Sequence, residues 1–143
     1  MKVLVAYDGS LNSKDALKYG MDKAGESGGE LTALHVFNSA MFIDYGAGPR
    51  AEEKARKESE HLVEEMKRLA EKIDWKMKVK AVMEEGYPED EIVKYAGLHN
   101  CELIVSPARY GKIAKKAPCP VVLVPSHEQK KDAVLLPGYA AMR

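Results

Sequence analysis

Lys2-Val3-Leu4-Val5-Ala6-Tyr7-Asp8-Gly9-Ser10 decides the fold. Val3 to Ala6 is an apolar run with two β-branched residues, too short for a helix and apolar on both faces. It predicts a central strand of a sheet covered by helices on both sides. Asp8-Gly9-Ser10 breaks that strand with turn chemistry. In an open parallel sheet, ligands lie beyond the carboxyl ends of the strands, where the winding direction switches. Asp8 is therefore expected at that crevice.

Downstream, Asn12 or Ser13 is placed to cap a helix over 12–25, with Leu17, Gly20, Met21 and Ala24 on one face. Leu31 to Phe37 reads as a second strand. Residues 38–50 read as a loop, unusually apolar at Met41, Phe42, Ile43 and Tyr45, and such loops close over a cleft or meet a partner chain. A long helix over 51–73 carries the stripe Ala51, Ala55, Leu62, Met66, Leu69, Ala70 and Ile73, with Glu and Lys/Arg on its solvated face. Trp75 to Met83 alternates with lysines, as in an edge strand with one wet face. Glu84 to Tyr87 reads as a turn, and Pro88 suits the first position of the next helix, ahead of Glu89, Asp90 and Glu91. Leu103 to Val105 and Val121 to Val124 are short strands, the last bracketed by prolines as an outer strand would be. Strands alternating with helices predict an α/β domain with a doubly wound parallel sheet.

The chain has 143 residues, enough for one core, and reads as a single domain over 1–125 with a C-terminal extension at 126–143. Two alternatives stay open for the extension: disorder, or a short strand added to its own or a partner's sheet edge. Lys+Arg 22 balances Asp+Glu 22, which gives no electrostatic case for nucleic acid or an acidic membrane as partner. No apolar run is long enough to span a bilayer. Cys101 and Cys119 are too few for a disulfide framework and read as reduced thiols of a cytoplasmic protein. No Cys/His spacing suggests a metal. His35 reads as a strand residue with a satisfied hydrogen bond, and His61, His99 and His127 form no set.

In this order and spacing, several segments resemble the universal stress protein family: Val3 to Ser10, Leu34-His35-Val36, Glu85-Gly86-Tyr87-Pro88 with Ile92, Cys101 to Val105, and Ala117 to Val122. The resemblance spans residues 1–125. It implies a five-stranded parallel sheet of order 3-2-1-4-5 with helices on both faces, and homodimers paired through the last strand, here Val121, Val122, Leu123 and Val124. Many members bind ATP, with a glycine motif G-x2-G-x9-G-S/T after the fourth strand whose amides cradle the phosphates. By position, Asp8 would lie by the ribose and the backbone near Val36 would meet the adenine, with Ala6 and Tyr7 lining the crevice.

At the glycine motif the chain departs from the family. It reads Ser106-Pro107-Ala108-Arg109-Tyr110-Gly111-Lys112, with Pro107 and Tyr110 where the first two glycines belong. The segment for the third glycine and its Ser/Thr is missing. Proline removes an amide donor and fixes φ, so the usual triphosphate cradle cannot form. The reading is a non-enzymatic accessory or signalling protein, with no catalytic residues and no cofactor, that works through an unidentified protein partner. Its alternative is an AMP or ATP binder with a remodelled phosphate site. The nucleotide-binding candidates are Ala6, Tyr7, Asp8, Val36, Ser106, Arg109, Gly111 and Lys112.

Overall fold

A computed structural model describes residues 1–44 and 48–126, the side chains of 43 and 44 excepted. Five parallel strands pair in the order β3-β2-β1-β4-β5: β1 (Lys2–Ala6), β2 (Glu30–Phe37), β3 (Val79–Glu85), β4 (Leu103–Pro107) and β5 (Val121–Val124). The first strand is therefore central, as its two apolar faces require. Its side chains divide between two cores. Val3, Val5 and Tyr7 pack with α1 (Leu11–Glu26) and α3 (Pro49–Ile73), whereas Leu4 and Ala6 pack with α4 (Pro88–Leu98) and α5 (Ile113–Lys116). Helices thus cover both faces.

At Gly20 the first of these layers comes closest to the sheet. A methyl group there would lie 2.4 Å from Val5 Cγ2, so only glycine lets α1 settle this near β1. On α3 the stripe centres on Met66 and Ala70, flanked by Leu62, Leu69 and Ile73. Ala51 is exposed, and the stripe includes buried Ser59, a polar residue whose place the site explains. The outer face carries exposed pairs such as Lys67–Glu64 at 3.4 Å, each contributing ~0.2–1 kcal/mol.

Several boundaries differ from the expectation. Ser10 caps α1, accepting from the Ser13 amide, because the chain turns into the helix one residue earlier than Asn12. The expected loop 38–50 contains a short helix, α2 (Ala40–Asp44), seated by the Phe42 ring at 5.8 Å from Phe37. Tyr45 and residues 127–143, with His127 and nearly all of the extension, lie outside the described residues. Trp75 is no strand residue: residues 74–78 turn, with the Lys76 amide donating to Asp74, and Trp75 stays 77% exposed. Its alternation with Lys76 and Lys78 mimicked a pleat that begins only at Val79. Glu84 and Glu85 continue that strand, still paired with Val36 and Phe37. Likewise Ser106 and Pro107 extend β4 opposite Leu123 and Val124. Here the proline closes the strand, beside β5 at the sheet edge.

Candidate functional site

The order 3-2-1-4-5 makes the gap between β1 and β4 the switch point, and two chain turns meet there. After β1, Gly9 takes φ +84, a left-handed value that favours glycine. That turn folds Asp8 back over the start of α1. Asp8 Oδ1 accepts from the Ser10 amide at 2.9 Å and from the Ser10 hydroxyl at 2.5 Å. After β4, residues Ala108–Tyr110 wind as one 3-10 turn. Arg109 reaches Asp8 Oδ2 at 2.8 Å, and the Tyr110 hydroxyl donates to the same oxygen at 3.1 Å. The Arg109 guanidinium lies 4.7 Å from the Tyr110 ring centre and donates to its hydroxyl.

Asp8 is therefore a buried carboxylate with a full set of donors. Its side chain is 9% exposed, whereas that of Arg109 is 61% exposed. Burial alone would push its pKa up. The Ser10 hydroxyl and amide and the Arg109 charge outweigh burial and hold it below the ordinary carboxyl value. The arginine is the exposed half of this pair: it is well solvated, so releasing Asp8 costs it little.

His35 explains Ser59. Its Nδ1 lies 2.9 Å from the Tyr7 carbonyl and its Nε2 3.0 Å from the Ser59 hydroxyl. A carbonyl only accepts, so Nδ1 carries the proton, and Nε2 accepts from the serine. Burial pushes this imidazole below its ordinary pKa, more than the bond to Tyr7 and the Asp8 charge raise it. A neutral ring thus pins the peptide just before Asp8. Tyr7 itself turns away from the crevice into the α1–α3 core, its hydroxyl donating to Glu65 at 2.6 Å. Tyr110, not Tyr7, is the aromatic side chain that meets Asp8.

Between these turns a cleft of about 390 Å³ remains, lined by Ala6, Tyr7, Asp8, Leu34, His35, Val36, Asn38, Pro88, Glu89, Ile92, Arg109 and Tyr110. Its lining mixes apolar and polar groups in similar measure. Of the sequence candidates, Ala6, Tyr7, Asp8, Val36 and Arg109 come together on it. Ser106, Gly111 and Lys112 do not line it. Ser106 is fully buried and donates to the Pro107 carbonyl. Gly111 has ordinary helical angles, φ −58 and ψ −24, so its backbone offers nothing that a phosphate cradle needs glycine for. Sequence reading missed Pro88, Glu89 and Ile92, although a helix starting after β3 must open on the same edge as Asp8. The Glu89 Oε2 atom is buried and has no hydrogen-bond partner. Among the described residues, no group of three or more His, Cys, Asp or Glu could hold a metal ion, and no helix is long and apolar enough to cross a membrane.

Comparison with known proteins agrees with this architecture. The model of the universal stress protein family matches residues 1–125. Universal stress protein MJ0531 of Methanocaldococcus jannaschii is 28% identical over 139 residues, covering 86% of this chain and 81% of that protein. The universal stress protein of Archaeoglobus fulgidus, solved in complex with dAMP, superposes with a TM-score of 0.67 at 21% identity, covering 85% of this chain and 94% of the other. An Arabidopsis thaliana universal stress protein family protein with AMP bound gives a TM-score of 0.63 at 22% identity, with 89% and 92% covered. At such identities the two structures speak for the fold alone.

Proposed function

The chain belongs to the universal stress protein family, and on that premise we propose that it is a non-enzymatic accessory or signalling protein of the cytosol whose cleft takes a nucleoside or nucleoside monophosphate, not ATP held in the family manner. One observation carries this reading: the turn after β4 stands on Asp8 through Arg109 and Tyr110, where the family places phosphate-binding amides. A single exposed guanidinium matches one phosphate group. It does not replace a run of backbone amides along three. The cleft stays open beside it, and two structural neighbours were solved with dAMP and AMP. Both ring nitrogens of His35 are committed, which leaves it no free nitrogen to act as a base. Calorimetric titration with adenosine, AMP, ADP and ATP tests the reading. AMP is expected to bind at least as tightly as ATP. ATP binding tenfold tighter than AMP overturns it, and so does the absence of binding by all four.

A second copy of the chain is the proposed partner along β5. That strand is a sheet edge, and Val121, Val122 and Leu123 on it are only partly buried. Among the described residues nothing pairs with its outer side, and an apolar edge of this kind invites pairing. Light scattering after gel filtration is expected to give a dimer mass, and Val122→Lys a monomer. A monomeric wild type at tens of micromolar removes the proposal.

A further inference from the structure

Asp8 lines the cleft, and the protein's own donors already occupy both of its oxygens. A carboxylate oxygen has two lone pairs. On Oδ1 they take the Ser10 amide and the Ser10 hydroxyl. On Oδ2 the Arg109 guanidinium stands at 2.8 Å and the Tyr110 hydroxyl donates at 3.1 Å. A ligand hydroxyl that seeks this carboxylate has to displace one of these groups. The Ser10 contacts belong to the α1 cap, since the same hydroxyl accepts from the Ser13 amide. Arg109 brings a charge, which a neutral hydroxyl does not replace. Tyr110 brings a neutral hydroxyl at the longest of these distances, and a sugar hydroxyl is its like-for-like substitute. Tyr110 is also built into the cleft. Its ring lines the space and packs against the core that includes Leu4, Ala6 and Ile113. Burial pushes the pKa of its hydroxyl up, so the group stays a donor at neutral pH.

We infer that Tyr110 is a specificity-determining residue: its hydroxyl holds the place on Asp8 Oδ2 that a sugar hydroxyl of the ligand takes, and the two compete for it. The inference rests on the nucleotide reading above and narrows it: the ligand is a nucleoside or its monophosphate whose sugar presents a hydroxyl donor to Asp8. A ligand without that donor leaves Tyr110 where it is. Binding of one that carries it is weakened by the fraction of molecules in which Tyr110 covers Oδ2. The tyrosine thus lowers affinity only for ligands with the sugar hydroxyl.

The test compares AMP with 2′,3′-dideoxy-AMP, which has the same base and phosphate but neither ribose hydroxyl. Tyr110→Phe keeps the ring under the Arg109 guanidinium and removes only the hydroxyl. Wild-type protein is expected to bind AMP about tenfold more tightly than dideoxy-AMP. Tyr110→Phe is expected to bind AMP about fivefold more tightly than wild type does, and dideoxy-AMP equally, so that the preference grows. A gain shared by both ligands comes from added space or a freer Arg109 and overturns the competition. A preference that stays the same or falls in a folded Tyr110→Phe overturns it too. A second measurement requires no variant: in the wild type, the near-UV tyrosine difference spectrum is expected to be larger with AMP than with dideoxy-AMP, because only AMP moves the Tyr110 hydroxyl off the carboxylate. Equal spectra at saturation overturn the inference. Equal binding of both ligands by the wild type does the same and leaves the nucleotide reading standing. Failure of both ligands to bind either protein overturns the nucleotide reading, and this inference with it.

Discussion

Asp8→Ala is expected to weaken AMP binding by roughly 10–100-fold, the range for losing one charge-assisted hydrogen bond or two. The carboxylate is the one ionised acceptor at the switch point with both oxygens already aligned by the protein, Oδ1 by Ser10 and Oδ2 by Arg109 and Tyr110. A ribose hydroxyl reaching Oδ2 takes the place of Tyr110, and a phosphate takes up the freed Arg109. The same substitution removes the group that orients the α1 cap, for which about 1 kcal/mol of stability is the expected cost. Asp8→Asn separates the two effects: its amide oxygen still accepts from Ser10, but the side chain no longer carries charge for Arg109. Titration with AMP and thermal melts on both variants check this. Equal AMP affinity in wild type, Asp8→Ala and Asp8→Asn would place the ligand elsewhere.

The parts of this fold that sequence reading reached are those where one local rule acts alone. Val3 to Ala6 is apolar on both faces because the strand is buried on both faces, and nothing farther away has to be known. The failures have a common origin in contacts between distant segments. Lys76 and Lys78 alternate with Trp75 and Met77 as strand residues do, yet the Asp74 side chain bends that stretch into a turn. Ser59 looks like an error in an apolar stripe until His35, on another element, is placed against it. The same holds for the site. Asp8 and Arg109 were legible because turn residues after strands are expected at the crevice. Glu89 was not, since its Glu-Asp-Glu run is sufficient as a helix start and gave no sign that the residue lines the cleft.

His35→Ala is the variant expected to cost most in stability, about 3 kcal/mol, with a fall in Tm on the order of 10 °C. It strands the buried Ser59 hydroxyl, takes a donor from the Tyr7 carbonyl, and leaves a hole beside the sheet. Ser59→Ala made in the His35→Ala background should then cost almost nothing further, whereas alone it costs about 1 kcal/mol, since the pair shares one bond. The pH dependence follows from the direction of the shift. The unfolded imidazole takes its proton near 6.5, the folded one at lower pH because burial disfavours the charged ring. Above 6.5 neither state is protonated and the full stability is present. Below it the unfolded chain binds the proton first, so stability falls with pH until the folded value is passed. Asp8 acts in a separate window: its folded pKa lies below 3.8, so its contribution is present above 3.8 and lost only in stronger acid. The gap between wild type and His35→Ala in urea melts should therefore shrink from pH 7.5 to pH 5.5, with the other histidines cancelling in the difference. A gap that widens over that range would mean that the ring is charged in the fold, and the Tyr7–His35–Ser59 chain would have to be redrawn with Nε2 as a donor.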